Sequence, residues 1–113
     1  MNKVHDFPDV ASMRAAALAA CTMLKILANE DRLLILCQLI NGPYSVGELE
    51  KELGIRQPTL SQQLTVLREE NLVATERKGK YVIYRLASPD VVRIMETLYS
   101  IYCEAGGNTN GKN

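Results

Sequence analysis

Ser45-Val-Gly-Glu-Leu-Glu-Lys-Glu-Leu-Gly-Ile-Arg-Gln-Pro-Thr-Leu-Ser-Gln-Gln-Leu-Thr-Val-Leu-Arg68 decides the fold of this chain. Ser45 followed by Glu48 makes a capping box, so a helix starts here. Val46, Leu49 and Leu53 repeat at helical spacing along it. Gly54 stands where a helix ends on a left-handed residue. Pro58 suits the first turn of a second helix, where its missing N–H costs nothing. Leu60, Leu64 and Leu67 then form an apolar stripe. The opposite face carries Gln57, Thr59, Ser61, Gln62, Thr65 and Arg68. It has no acid, and every side chain can hydrogen-bond, as a helix needs to meet base edges and phosphates in a major groove. The alternative is a helical hairpin with an ordinary solvated face. The residues immediately downstream favour a helix-turn-helix.

Those residues are Leu72-Val-Ala-Thr-Glu-Arg-Lys-Gly-Lys-Tyr-Val-Ile-Tyr-Arg-Leu86. β-Branched and aromatic residues flank Lys78-Gly79-Lys80, which predicts a β-hairpin. Arg77, Lys78 and Lys80 crowd its tip, so it reads as a wing reaching the DNA backbone or minor groove rather than a merely solvated turn.

Upstream, the Ala-rich segment from Asp9 to Ala28 carries Met13, Ala17, Ala20, Leu24 and Leu27 at helical spacing. Asn29 is an N-cap for a second helix with Glu30 and Asp31 in its first turn. Residues 30–40 are apolar nearly all round and predict a central, buried helix, stopped by Asn41-Gly42-Pro43. Downstream, Ser88-Pro89 caps a last helix running to about Cys103, with Val91, Val92, Met95, Leu98, Tyr99 and Tyr102 along one broad side. Residues 1–8 and 105–113 are expected to be flexible. The predicted fold is mainly α with a small β-hairpin: one winged helix-turn-helix domain over residues 1–113, ordered α1-α2-α3-α4-β-β-α5. Its terminal helices keep apolar faces that suit a homodimer, as helix-turn-helix proteins commonly read palindromic half-sites as twofold dimers.

The 113 residues fit a single core and leave no room for a separate ligand domain. The formal net charge is zero, yet residues 56–86 hold 6 basic against 3 acidic residues. Phosphate affinity depends on such a local patch, because salt screens charges beyond about 8–10 Å. No apolar run approaches the roughly 18–20 residues of a membrane span, and the N-terminus lacks signal-peptide order. A cytoplasmic bacterial protein with no membrane partner is expected. Cys21, Cys37 and Cys103 include no Cys-x-x-Cys, and an odd count in such a chain is not a structural disulfide framework.

The chain resembles the ArsR family of bacterial winged-helix repressors from about Leu24 to Cys103. The resemblance rests on Leu24-Lys-Ile-Leu-Ala-Asn-Glu-Asp-Arg-Leu-Leu-Ile-Leu-Cys37, Ser45-Val-Gly-Glu-Leu, and Gln57-Pro-Thr-Leu-Ser-Gln-Gln-Leu-Thr-Val-Leu-Arg68. It implies a dimeric repressor on double-stranded palindromic operator DNA, and no enzyme. Arg56 departs from the small residue common before the second helix; a good N-cap is lost there, and Arg56 is free to meet a phosphate. Metal-sensing relatives carry cysteines where this chain has Glu48-Leu49-Glu50-Lys51-Glu52, or Asp and His pairs on the last helix. Here that helix has Asp90, Glu96 and Glu104, and the only histidine is His5. No metal site and no cofactor are expected.

Cys37 and Cys103 instead resemble the dithiol of the family's thiol- and persulfide-sensing branch. The resemblance implies a sensor of reactive sulfur species or oxidants, in which the two thiols join by a disulfide or a longer sulfur bridge and DNA is released. Cys21 has no such role and reads as a packing residue on the Ala-rich helix, with oxidation between subunits as the alternative. Two readings compete: a metal- or ligand-responsive regulator of the same fold with non-sensing cysteines, and a thiol-dependent enzyme. The enzyme lacks a histidine partner for its thiol and leaves the recognition face unexplained.

Overall fold

The computed structural model describes residues 9–104; the expectations for residues 1–8, His5 and residues 105–113 lie outside them. The elements run α1 (Val10–Leu27), α2 (Glu30–Leu39), β1 (Tyr44–Ser45), α3 (Val46–Leu53), α4 (Thr59–Glu69), β2 (Val73–Lys78), β3 (Tyr81–Leu86) and α5 (Pro89–Tyr99). A π-helical turn, Ser100–Glu104, continues α5. Five helices and a small antiparallel sheet make the expected winged helix-turn-helix.

Local chemistry sets most of the boundaries. Asp9 Oδ1 accepts the amide of Ser12 at 2.8 Å and opens α1. Asn29 Oδ1 does the same for Arg32 at 2.9 Å and opens α2. The capping box is present in both directions: Ser45 N donates to Glu48 Oε1 at 2.8 Å, and Glu48 N donates to Ser45 Oγ at 3.2 Å. Gly54, at φ +71°, ends α3 in the left-handed region that a side chain would strain. Asn71, at φ +65°, plays that part after α4, with the amide of Leu72 bonded back to the carbonyl of Leu67 at 2.9 Å. Ser88 Oγ accepts from Asp90 and Val91 and opens α5.

The core is built by the predicted stripes. Leu60, Leu64 and Leu67 of α4 are buried with Ile35, Leu36 and Leu39 of α2, Leu49 of α3, and Val91 and Met95 of α5. Each fully buried Leu, Ile, Val or Met contributes about 1.5–3 kcal/mol relative to exposure.

Four expectations are corrected. Helix α2 is not buried all round: Leu34 stays 40% exposed and Cys37 is half-buried, because its partners do not enclose the helix. Pro58 sits just ahead of α4, not within its first turn. The sheet has a third strand, in the order β1-β3-β2, with Tyr44 opposite Tyr84 and Ser45 opposite Ile83. Two residues show no alternation, so β1 is invisible until its partner strand is in place. Finally, α1 is long and apolar enough by composition to cross a membrane, with mean hydropathy 1.5 over 18 residues. Leu27 of this helix is nonetheless buried in the core, and Met23 and Ile26 pack against it.

Candidate nucleic-acid interface and thiol pair

Helix α4 presents the polar face that its stripe predicts. Arg56, Gln57, Ser61, Gln62, Thr65 and Arg68 are exposed, and Thr59 is half-buried. Several of these side chains are held before any partner arrives. Gln57 Oε1 accepts the Ser61 amide at 3.1 Å and the Ser61 hydroxyl at 2.6 Å. The Thr65 hydroxyl donates to the Ser61 carbonyl at 2.8 Å. Gln57, one residue ahead of the N-cap Pro58, therefore accepts a first-turn amide of α4 where no N-cap side chain does, a duty its place on the polar face concealed.

The hairpin comes directly after α4, and β2 packs against that helix. Lys78 pairs with Tyr81 across a turn in which Gly79 takes φ +63°. Arg77, Lys78 and Lys80 are all exposed at this tip. Lys80 Nζ lies 5.6 Å from the centre of the Tyr81 ring, within cation–π range. Tyr81 itself is 56% exposed, although an aromatic in a strand pattern reads as a packing residue.

The two thiols named in the sequence sit on α2 and on the turn that continues α5, the helix packed against α2. Cys37 lies half-buried on α2 and Cys103 is exposed on the π-helical turn after α5. Burial first, and then the neighbouring Cys103 sulfur, push the Cys37 thiol above its ordinary value of 9.0. Both cysteines are free, as is Cys21 on α1, which is exposed and not, as expected, packed within the chain. Cys103 is exposed, whereas Cys37 is half-buried and its reactive thiolate form is disfavoured, so iodoacetamide at neutral pH is expected to label Cys103 well before Cys37. The Cys37 rate should still be climbing above pH 9.0. Peptide mapping by mass spectrometry checks this; equal labelling at neutral pH would contradict it. Among the described residues, no three His, Cys, Asp or Glu side chains gather as a metal site.

An acid-free helix face in a helix-turn-helix, joined to a basic hairpin tip, defines a winged-helix DNA-binding protein. The profile of the bacterial regulatory protein arsR family matches residues 29–75. The biofilm growth-associated repressor of Agrobacterium fabrum is 50% identical over 92 residues, 81% of this chain and 79% of that one. Reduced HlyU from Vibrio cholerae superposes with a TM-score of 0.80 at 40% identity, covering 83% of this chain and 99% of that one. A homodimeric winged helix-turn-helix DNA-binding domain from Mycobacterium bovis superposes with a TM-score of 0.70 at 30% identity, covering 88% of this chain and 94% of that one. The chain belongs to the arsR family: it is a DNA-binding transcriptional regulator and not an enzyme.

Proposed function

We propose that this protein is a cytoplasmic homodimeric repressor that leaves a palindromic operator when Cys37 and Cys103 are joined by reactive sulfur species or oxidants. What supports the reading is the placement of the thiol pair, on α2 and on the turn that continues α5, the helix packed against α2; the Cys103 sulfur also disfavours the Cys37 thiolate. The name of the Agrobacterium relative, a repressor, and the Vibrio relative solved in a reduced form support it.

DNA is met by α4 and the turn before it through Arg56, Gln57, Thr59, Ser61, Gln62, Thr65 and Arg68, and by the wing through Arg77, Lys78 and Lys80. The second copy covers α1 and the end of α5. Val10, Leu18, Leu24, Tyr99, Ile101 and Tyr102 stand exposed on these elements. A groove of about 680 Å³ runs between α1 and α5, lined by Met23, Leu24, Ile94 and Leu98 among others. Exposed apolar side chains gathered on these two elements suit an interface, and the Mycobacterium bovis domain of the same fold is a homodimer.

The chemistry balances with an organic persulfide as oxidant. The exposed Cys103 thiolate attacks the outer sulfur of RSSH, becomes a persulfide and releases RSH. The Cys37 thiol then attacks the inner sulfur of that persulfide, closes a disulfide and expels hydrogen sulfide. A further persulfide in place of the thiol inserts one more sulfur. Hydroperoxide instead gives a sulfenic acid and an alcohol, then the disulfide and water. A direct disulfide needs Cα atoms about 4.4–6.8 Å apart, so closure draws the end of α5 against α2. Because α5 flanks the dimer surface, the spacing of the two α4 helices changes, and half-site recognition depends on that spacing.

The test is intact-mass spectrometry beside binding to a duplex selected by the wild-type protein from a randomised pool, before and after persulfide or peroxide. Wild type is expected to lose binding as a Cys37–Cys103 crosslink forms, and Cys37→Ser and Cys103→Ser are expected to do neither. Unchanged wild-type binding in every state would overturn the switch. The wing has its own signature. Lys80→Ala is expected to weaken binding to all sequences alike and to lower the slope of log affinity against log salt by about 1. An unchanged slope would reject the contact.

A further inference from the structure

Helix α1 ends with four carbonyls that its own turns cannot satisfy. The amide of Ala28 takes Leu24 O at 2.9 Å, and that of Asn29 takes Leu27 O at 2.8 Å. The remaining two converge on one side chain of the next helix. Arg32 Nε donates to Ile26 O at 2.6 Å, and Arg32 Nη2 reaches Lys25 O at 3.5 Å. The positive guanidinium also lies at the negative end of the α1 dipole, where a cation is favoured. The other edge of the same group faces away from α1: Arg32 Nη1 donates to Gln63 Oε1 on α4 at 2.8 Å. Gln63 is half-buried, next to exposed Gln62. One half-buried, planar cation thus ties the end of the helix with the bare apolar face to the inner edge of the helix with the bare polar face.

We propose that Arg32 is a positioning residue for DNA recognition, fixing the orientation of α4 relative to the C-terminus of α1 through Gln63. The inference rests on the reading of α1 as a dimer helix and α4 as the DNA reader. In a twofold dimer the α1 helices set where the two subunits stand, and the angle of α4 to α1 sets where each reading face points. A rigid fork is suited to this duty. Its planar group engages two carbonyls and a carboxamide at once, which the flexible, point-charged ammonium of lysine cannot reproduce. Gln63 thereby serves DNA binding without facing the DNA.

The experiment compares Gln63→Met, Gln63→Glu, Arg32→Lys and the Arg32→Lys/Gln63→Met double variant in the full chain. The readouts are thermal midpoint and the ratio of affinities for the selected duplex and a scrambled duplex of equal length. Gln63→Met removes only the acceptor. It is expected to keep the wild-type midpoint and scrambled-duplex affinity while the ratio falls about tenfold. Gln63→Glu keeps an acceptor for Arg32 and is expected to keep the ratio, whatever its added charge does to overall affinity. Arg32→Lys is expected to fall as Gln63→Met does, with the double variant no worse than either. A wild-type ratio in Gln63→Met, or losses that multiply in the double variant, would overturn the proposal. So would loss of the ratio in Gln63→Glu, which marks Gln63 as a direct DNA contact. If Arg32→Lys does not fold, the two Gln63 variants decide. Gln62→Ala separates the underlying reading: a wild-type ratio there removes α4 as the reader and the proposal with it. A reduced ratio there beside a wild-type ratio in Gln63→Met removes the positioning role alone.

Discussion

Leu18→Glu is expected to give a folded monomer whose affinity for a palindromic duplex falls by a factor of about 10²–10⁴. Leu18 is 70% exposed midway along α1. An exposed substitution of this kind changes folding stability by roughly 0.5 kcal/mol or less, and glutamate is itself a good helix former. In an α1-based dimer the same carboxylate is buried in an apolar seam, at an effective cost of several kcal/mol per ion. Separation of the subunits then removes avidity. A dimer delivers its second reading helix at the high local concentration set by the first, whereas a monomer binds each half-site alone. Sedimentation velocity reports the oligomeric state, and fluorescence anisotropy with palindromic and half-site duplexes reports the affinity. A variant that remains dimeric, or a monomer that binds the palindrome as wild type does, would reject α1 as the dimer helix.

The second large effect lies one residue away from a small one. Leu64→Ala is expected to cost about 2–5 kcal/mol of folding stability and to lower the melting temperature by about 10 °C or more. Leu64 is 1% exposed, within the cluster that joins α4 to α2 and β2. Truncation leaves a cavity that the surrounding helices fill only in part. Against a total of about 5–15 kcal/mol for a domain, that is a large fraction. Thr65→Ala, on the adjoining exposed position, removes only a hydroxyl bonded to the Ser61 carbonyl and should move stability by roughly 0.5 kcal/mol or less. On the proposed reading its effect falls on DNA affinity. Differential scanning calorimetry beside duplex binding distinguishes the two: stability should report Leu64 and binding should report Thr65. Equal melting temperatures for the two variants would mean that α4 is not seated by its leucine stripe.

The features legible in the chain are those whose causes lie within about one helical turn. Ser45 and Glu48 form the box that their spacing demands, Gly54 takes its left-handed turn, and Asn29 and Ser88 open their helices as expected. The apolar stripe of α4 and the glycine-tipped hairpin arise from the periods of helix and strand, 3.6 and 2, which a sequence displays directly. The acid-free face of α4 and the basic tip were legible for the same reason. Each is a local run of side chains whose direction the period determines.

What only the tertiary structure decided depends on groups far apart in the chain. Strand β1 exists because β3 offers an edge to Tyr44 and Ser45, and two residues carry no period of their own. Gln57 caps α4, a duty its place on the polar face did not announce. Cys37 and Cys103 were paired in the sequence only by resemblance; that the helix leading to Cys103 packs on α2, where Cys37 sits, is decided by the tertiary structure. Arg32 reads in sequence as one more charge after an N-cap, and Gln63 as one more polar helix residue. Thirty-one positions separate them. Local propensity determines where each helix begins and which side is apolar, while the angle between helices is settled by packing and by side chains that span from one to the next.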